Sequence, residues 1–222
     1  TSIGNFPMMP ENISSDMASL LRGKPRPSLT VCMYFNRGGG QVGDIRILNH
    51  VITNNRTYSY KKADKLVNSE TDGDLYKLYI LSQKICKKHI PILYSDEWDT
   101  HKMVETMMIM TNMNVGHFLV ERVPELAITR SHKGIQRCNS SDIPEHMWKR
   151  VLILNSNSAK YTLEHGRHSG LGINTYTHFT SPIRRIVDLY TQYLLKSVLF
   201  GKDIPKTVSR LLYQIDDINK RV

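Results

Sequence analysis

The feature that most limits what this chain can fold into is a change in the spacing of its apolar residues after Thr53. Before it, "SLTVCMYF" (Ser28 to Phe35) and "QVGDIRILNHVIT" (Gln41 to Thr53) are β-branched and apolar, and they flank a glycine-rich loop over Asn36 to Gly40. That is the pattern of a β-hairpin. After it the period becomes that of a helix: Leu75, Leu78, Leu81 and Ile85 mark one helix behind Asp72 and Asp74, and Val104, Met107, Met108 and Leu119 fall in another. Strands followed by helices predict an α+β fold, with an N-terminal hairpin portion and then packed helices. A short Ser-capped helix is expected within Pro7 to Gly23, and others over Pro144 to Leu154 and Pro205 to Lys220. No repeat or low-complexity tract divides the chain, so residues 1–222 read as one domain.

The 222 residues are 40% hydrophobic, enough to bury a sizeable core. Thirty Lys and Arg against 20 Asp and Glu leave a formal charge of +10, which favours a polyanionic partner, nucleic acid or an anionic membrane surface. No apolar run of about 18 residues could span a bilayer, and "TSIGNFPMMP" lacks the regions of a signal peptide. The expectation is a soluble intracellular protein, cytoplasmic, with no membrane partner. Cys32, Cys86 and Cys138 are far apart without CxxC spacing, which suits reduced structural thiols rather than disulfides or zinc. The methionines of "MVETMMIMTNM" read as adaptable core filler. His165 and His168 stand three residues apart with no third ligand nearby, short of a metal site.

"YTHFTSPIRRIVDLYTQYLL", Tyr176 to Leu195, has the stripe of an amphipathic helix in Ile183, Ile186, Val187, Tyr190 and Leu194. Thr180 and Ser181 suit an N-cap and Pro182 the first helical position, so the helix is expected to start there. Arg184 and Arg185 would then occupy the first turn, where the helix dipole opposes cations by roughly 0.3–1 kcal/mol each. Asp188 can relieve Arg184 at i+4. Two uses of the arginines stay open: a phosphate held by the guanidiniums, the hydroxyls of Thr180 and Ser181 and free backbone N–H groups, or pairing with acidic neighbours elsewhere in the fold.

The longer run "HSGLGINTYTHFTSPIRRIVDLYTQYLL" closely resembles the signature of the ribonuclease II and ribonuclease R family, the RNB-type 3′-to-5′ exoribonucleases. "FPMMPENISSDMASLLRGKPRPSLTV", "VITNNRTYSYKKAD", "VETMMIMTNMNVGHFL" and "VPELAITRSH" resemble further elements of the family in the same order. The resemblance implies a partial RNB catalytic domain that helps hydrolyse single-stranded RNA to nucleoside 5′-monophosphates with Mg²⁺. It implies catalytic roles for Arg184, at the phosphate under attack, and for Arg185 supporting it. Tyr176, His178, Thr180 and Ser181 would shape the substrate wall, and Glu105 and Asn112 would reach the terminal nucleotide. It also implies flanking OB-fold RNA-binding domains outside this chain and a monomer.

The family's metal-binding cluster, D-x-x-x-x-x-D-x-D-D, has no counterpart in the sequence and is expected upstream of Thr1, so no metal ligand is assigned here and the segment alone is expected to be inactive. Asp72, Asp74, Asp216 and Asp217 read as helix-cap and surface charges. Thr106 stands where the family has the second acid of an E-E pair, and "GNF" contracts the piece that carries a base-stacking tyrosine. The competing function is a catalytically inactive RNA-binding pseudonuclease of the same fold, and a third is a basic assembly protein. A D-x-D-D run upstream separates the first two.

Overall fold

A computed structural model describes residues 8–132, 158–204 and 210–221. Its fold is mixed α and β, arranged as two compact units: Thr1–Thr111 with Phe179–Leu189, and Asn112–His178 with Tyr190–Val222. The helix expected over Pro144 to Leu154 lies outside the described residues.

In the first unit, β1 (Pro25–Cys32) pairs antiparallel with β2 (Arg46–Thr53), in a register running from Pro25 opposite Thr53 to Cys32 opposite Arg46. The hairpin is present; after a break in the ladder, antiparallel pairing returns at Phe35 opposite Gln41, next to the glycine-rich loop. Asn36 also closes that loop, its Oδ1 accepting from the N–H groups of Gly38 and Gly40 at 3.0 and 2.9 Å. The short N-terminal helix is a single π-wound turn, Ile13–Met17.

Three helices follow with local caps. Ser59 caps α1 (Tyr60–Asn68) through Lys62 N, and Asp72 caps α2 (Gly73–His89) through Leu75 N, as a short oxygen side chain before a helix should. The third, α3 (Thr100–Arg122), which belongs to this unit as far as Thr111, opens on Asp64 of α1, whose Oδ1 accepts from Thr100 N and Oγ1 at 2.9 and 2.6 Å. These bonds favour the carboxylate, so Asp64 is held below the usual range. Ala63, Val67, Ile85, Cys86, Ile90, Met103 and Met110 are buried. Burial raises the Cys86 thiol, in keeping with a structural cysteine.

In the second unit, β3 (Thr129–Ser131) pairs antiparallel with β4 (Lys160–Thr162). Asn219 extends the β4 edge: its Oδ1 accepts from Tyr161 N at 2.7 Å and its Nδ2 donates to Tyr161 O at 2.8 Å. Helix α4 (Ile186–Phe200), which belongs to this unit from Tyr190 onward, buries Tyr190, Leu194 and Leu195, and the Tyr190 hydroxyl donates to Leu126 O at 2.8 Å. The single helix expected from Pro205 to Lys220 is, over its described part, a 3₁₀ turn, Arg210–Gln214, leading into α5 (Ile215–Arg221). Asp216 and Asp217 fall in the first turn of α5, the end a helix dipole favours for acids.

Candidate phosphate-binding turn

Helix α4 begins at Ile186, four residues later than the sequence pattern places it. Pro182 to Arg184 form a turn instead, in which Ser181 O accepts from Arg184 N at 3.3 Å and Arg185 N at 3.1 Å. The physical reason is Asp188. Its side chain has 0% exposure, and Oδ1 accepts both from Ser181 N at 2.7 Å and from Arg185 Nη2 at 2.8 Å. A carboxylate in the first turn of α4 thus reaches back past the cap position to Ser181, folding residues 181–185 over the helix end. A second approach, Arg185 Nε to Asp188 Oδ2 at 2.7 Å, is close in distance but off the hydrogen-bonding direction.

The pairing therefore differs from the expected one. Asp188 takes Arg185 at i−3, not Arg184 at i−4. Arg184 is exposed, and among the described residues no hydrogen bond or ion pair engages its guanidinium. The two arginines are unlike each other: one is held by a buried acid, the other is open to a ligand. Thr180 Oγ1, beside this turn, is buried without a hydrogen-bond partner among the described residues. An unmet buried hydroxyl costs about 1–3 kcal/mol. Glu105, in the same unit, is exposed on α3, with no hydrogen bond or ion pair among the described residues.

Tyr176, His178 and Asn112 belong to the second unit. Asn112 is 0% exposed and its Nδ2 donates to Tyr176 Oη at 3.0 Å; Tyr176 is itself 5% exposed. That geometry gives Asn112 a buried partner. His178 packs edge-on to Tyr176 with ring centroids 5.5 Å apart, and its Nδ1 lies 2.6 Å from the Tyr161 hydroxyl. Tyr176 O accepts from Arg130 N at 2.7 Å, and Thr177 Oγ1 donates to Ile128 O at 2.7 Å. These bonds pin the backbone at Tyr176 and the side chain of Thr177.

Two members of the cluster are not read as substrate-site residues from the sequence: Tyr161, and His168, which is weighed there only as a metal ligand. Tyr161 reaches His178 across 17 positions, and His168 stacks on His132 at 5.5 Å and meets Tyr176 edge-on at 5.4 Å. Burial, followed by the neighbouring His132, pushes His168 down from 6.5 to about 4.

Neither the 530 Å³ cleft lined by Arg56, Tyr58, Lys62 and Asp72 nor the 260 Å³ cleft beside Tyr161, Glu164 and Tyr213 includes the arginine turn. Among the described residues no three His, Cys, Asp or Glu side chains converge as metal ligands, so the groups present do not fit a Mg²⁺ site. Thr106, in place of an acid, is 2% exposed, where an ionised carboxylate would need a partner. No helix among the described residues is long and apolar enough to cross a membrane.

The arrangement has relatives. Ribonuclease R of Chlamydia pneumoniae is 21% identical over 250 residues, covering 86% of this chain and 37% of that protein. Ribonuclease R of Buchnera aphidicola subsp. Acyrthosiphon pisum is 25% identical over 289 residues, covering 97% and 39%. The chain thus spans about two fifths of the length of these relatives. Among solved structures, Mycoplasma genitalium RNase R in complex with ribose methylated single-stranded RNA superposes with a TM-score of 0.80 at 20% identity, over 96% of this chain and 44% of that one. Yeast Ssd1, a pseudonuclease, superposes with a TM-score of 0.81 at 15% identity, over 96% and 34%. Residues 2–89 and 76–201 match the family described as the RNB domain, and the chain belongs to that family.

Proposed function

We infer that the protein is a 3′-to-5′ exoribonuclease that hydrolyses single-stranded RNA to nucleoside 5′-monophosphates, with this segment contributing the arginine side of the active site. The observation that carries the inference is the division of labour at the turn: Arg185 is bound to the buried Asp188, and Arg184 is exposed without a partner among the described residues. A planar guanidinium on a rigid turn matches the oxygens of a phosphodiester and can stabilise the charge that grows on them during cleavage. The roles of Thr180 and Ser181 in the substrate wall, implied by the family, belong to the same proposal. Substrate roles for Tyr176, His178 and Asn112, implied by the family, belong to the proposal, and Glu105 is the exposed polar group offered to the terminal nucleotide. Mg²⁺, implied by the family, would be held by carboxylates other than those described here. The relatives named Ribonuclease R support an RNA substrate. Flanking OB-fold domains, a monomeric state and a cytoplasmic location remain part of the proposal, as does the inactivity of the segment by itself.

The likeness to a pseudonuclease favours a second reading, an RNA-binding protein of this fold that does not cleave. Product analysis separates the two. Single-stranded RNA labelled at its 5′ end, incubated with the full-length protein and Mg²⁺, should shorten from the 3′ end and release nucleoside 5′-monophosphates. RNA that is bound but stays intact would assign the protein to the second reading.

A further inference from the structure

The sequence run "KICKKH" at the end of α2 has no part in the arginine turn, yet the fold builds something specific around it. The glycine-rich loop of the hairpin is seated on the last turns of α2. Gly39 has φ +80°, and a Cβ there would stand 2.6 Å from the Lys84 carbonyl carbon, so only glycine permits so close an approach. Lys84 Nζ donates to Arg37 O at 3.1 Å, and His89 Nε2 lies 3.0 Å from Gly39 O. A Cβ at Gly40 would meet Lys88 Nζ at 2.9 Å. Lys87 follows Lys84 at i+3, on the same face of the helix. The result is a platform of Arg37, Lys84, Lys87 and Lys88 with His89, edge-on to Phe35, at its edge.

Helix-dipole compensation accounts for cations in the last turn, where Lys87, Lys88 and His89 stand. It does not account for Lys84, which lies before that turn, or for Arg37, which the loop brings in from elsewhere in the chain. All four long side chains are exposed, and among the described residues no carboxylate pairs with any of them. Like charges gathered on a built surface without acids repel one another unless a polyanion covers them.

We propose that this platform is a second RNA-binding surface, distinct from the arginine turn, which holds the phosphodiester backbone of single-stranded RNA without reading its sequence. RNA as the polyanion rests on the functional reading above. The chemistry itself is that of phosphate contacts from Lys and Arg. The platform shares no residue with the arginine turn, and its test reads binding rather than turnover, so the two can fail separately.

The test compares the full-length protein with a Lys84→Gln, Lys87→Gln, Lys88→Gln variant, using a labelled oligouridylate across a salt series. Each single-strand phosphate contact contributes roughly 0.7 to the slope of log affinity against log salt, so losing three should flatten the slope by about 2. Affinity should fall at low salt, with the melting temperature unchanged. An unchanged slope and affinity in a folded variant would overturn the proposal. So would unchanged RNA binding with lost binding of polyglutamate or of anionic vesicles, which would assign the platform to an acidic protein or a membrane surface. If the triple variant melts early, the single variant Lys87→Gln, at a lysine that makes no contact to the loop backbone, should still reduce the slope by roughly 0.7; no reduction there would also overturn it.

Discussion

Arg185 and Asp188 hold each other across the start of α4, Nη2 donating to Oδ1 at 2.8 Å with the acid wholly removed from solvent. Because the same oxygen accepts from Ser181 N at 2.7 Å, one carboxylate fixes both the turn and the arginine beside it. Arg184 is thereby left with its charge unspent. Two adjacent arginines at a helix start, unfavourable if both merely face the dipole, become reasonable when one is neutralised by the fold and the other is presented to an anion.

Asp188→Asn should be costly to stability. It removes the charge that compensates Arg185, whose side chain is only 23% exposed, and breaking one partner of such a buried pair typically costs about 3–5 kcal/mol. Chemical denaturation of the full-length protein checks this, and a loss below about 1 kcal/mol would mean that the pair does not hold the turn.

Gly39→Ala and Gly43→Ala should part company. Both residues have positive φ, +80° and +69°, so each substitution incurs roughly 1–2 kcal/mol from the backbone alone. At Gly43 a Cβ meets nothing within 4 Å, whereas at Gly39 it lands 2.6 Å from Lys84 backbone. Gly39→Ala should therefore be the more destabilising in a thermal melt, and should also weaken RNA binding by unseating the loop that carries Arg37. Equal losses would show that the loop does not press on α2.

His168 should give the protein an acid-sensitive limb. Burial and the charge of His132 lower its pKa from 6.5 to about 4, with Arg130 acting in the same direction. The unfolded chain then binds the proton first: the contribution is complete above about 6.5 and is lost as pH falls toward about 4. His168→Gln should flatten the stability profile across that window, measured by denaturant midpoint at several pH values. A limb of unchanged steepness would mean that another group is responsible.

What the sequence disclosed was local. Asp72 as a cap for α2 and the hairpin before it were legible because a capping oxygen and its N–H lie within three residues, and because strand alternation is a near-neighbour property. The partner of Asp188 was not legible. Arg184 and Arg185 both stand at pairing distance on an ideal helix, and the choice turned on the helix starting at Ile186, a consequence of Asp188 reaching back to Ser181. The Asn112–Tyr176 bond spans 64 positions and the His89–Gly39 contact 50, and no periodicity reports on such distances. The basic run of α2 was visible as charge, but only the seated loop makes it a surface.

Single-turnover hydrolysis by Arg184→Lys in the full-length protein, with RNA affinity and melting temperature measured alongside, is the most direct test of the arginine turn. Lysine keeps the charge but lacks the planar, two-pronged donor geometry. If Arg184 stabilises the phosphate under attack, RNA affinity and stability should stay close to wild type while the rate falls roughly 10²–10³-fold. A wild-type rate would contradict the assignment and leave Arg184 as a surface charge.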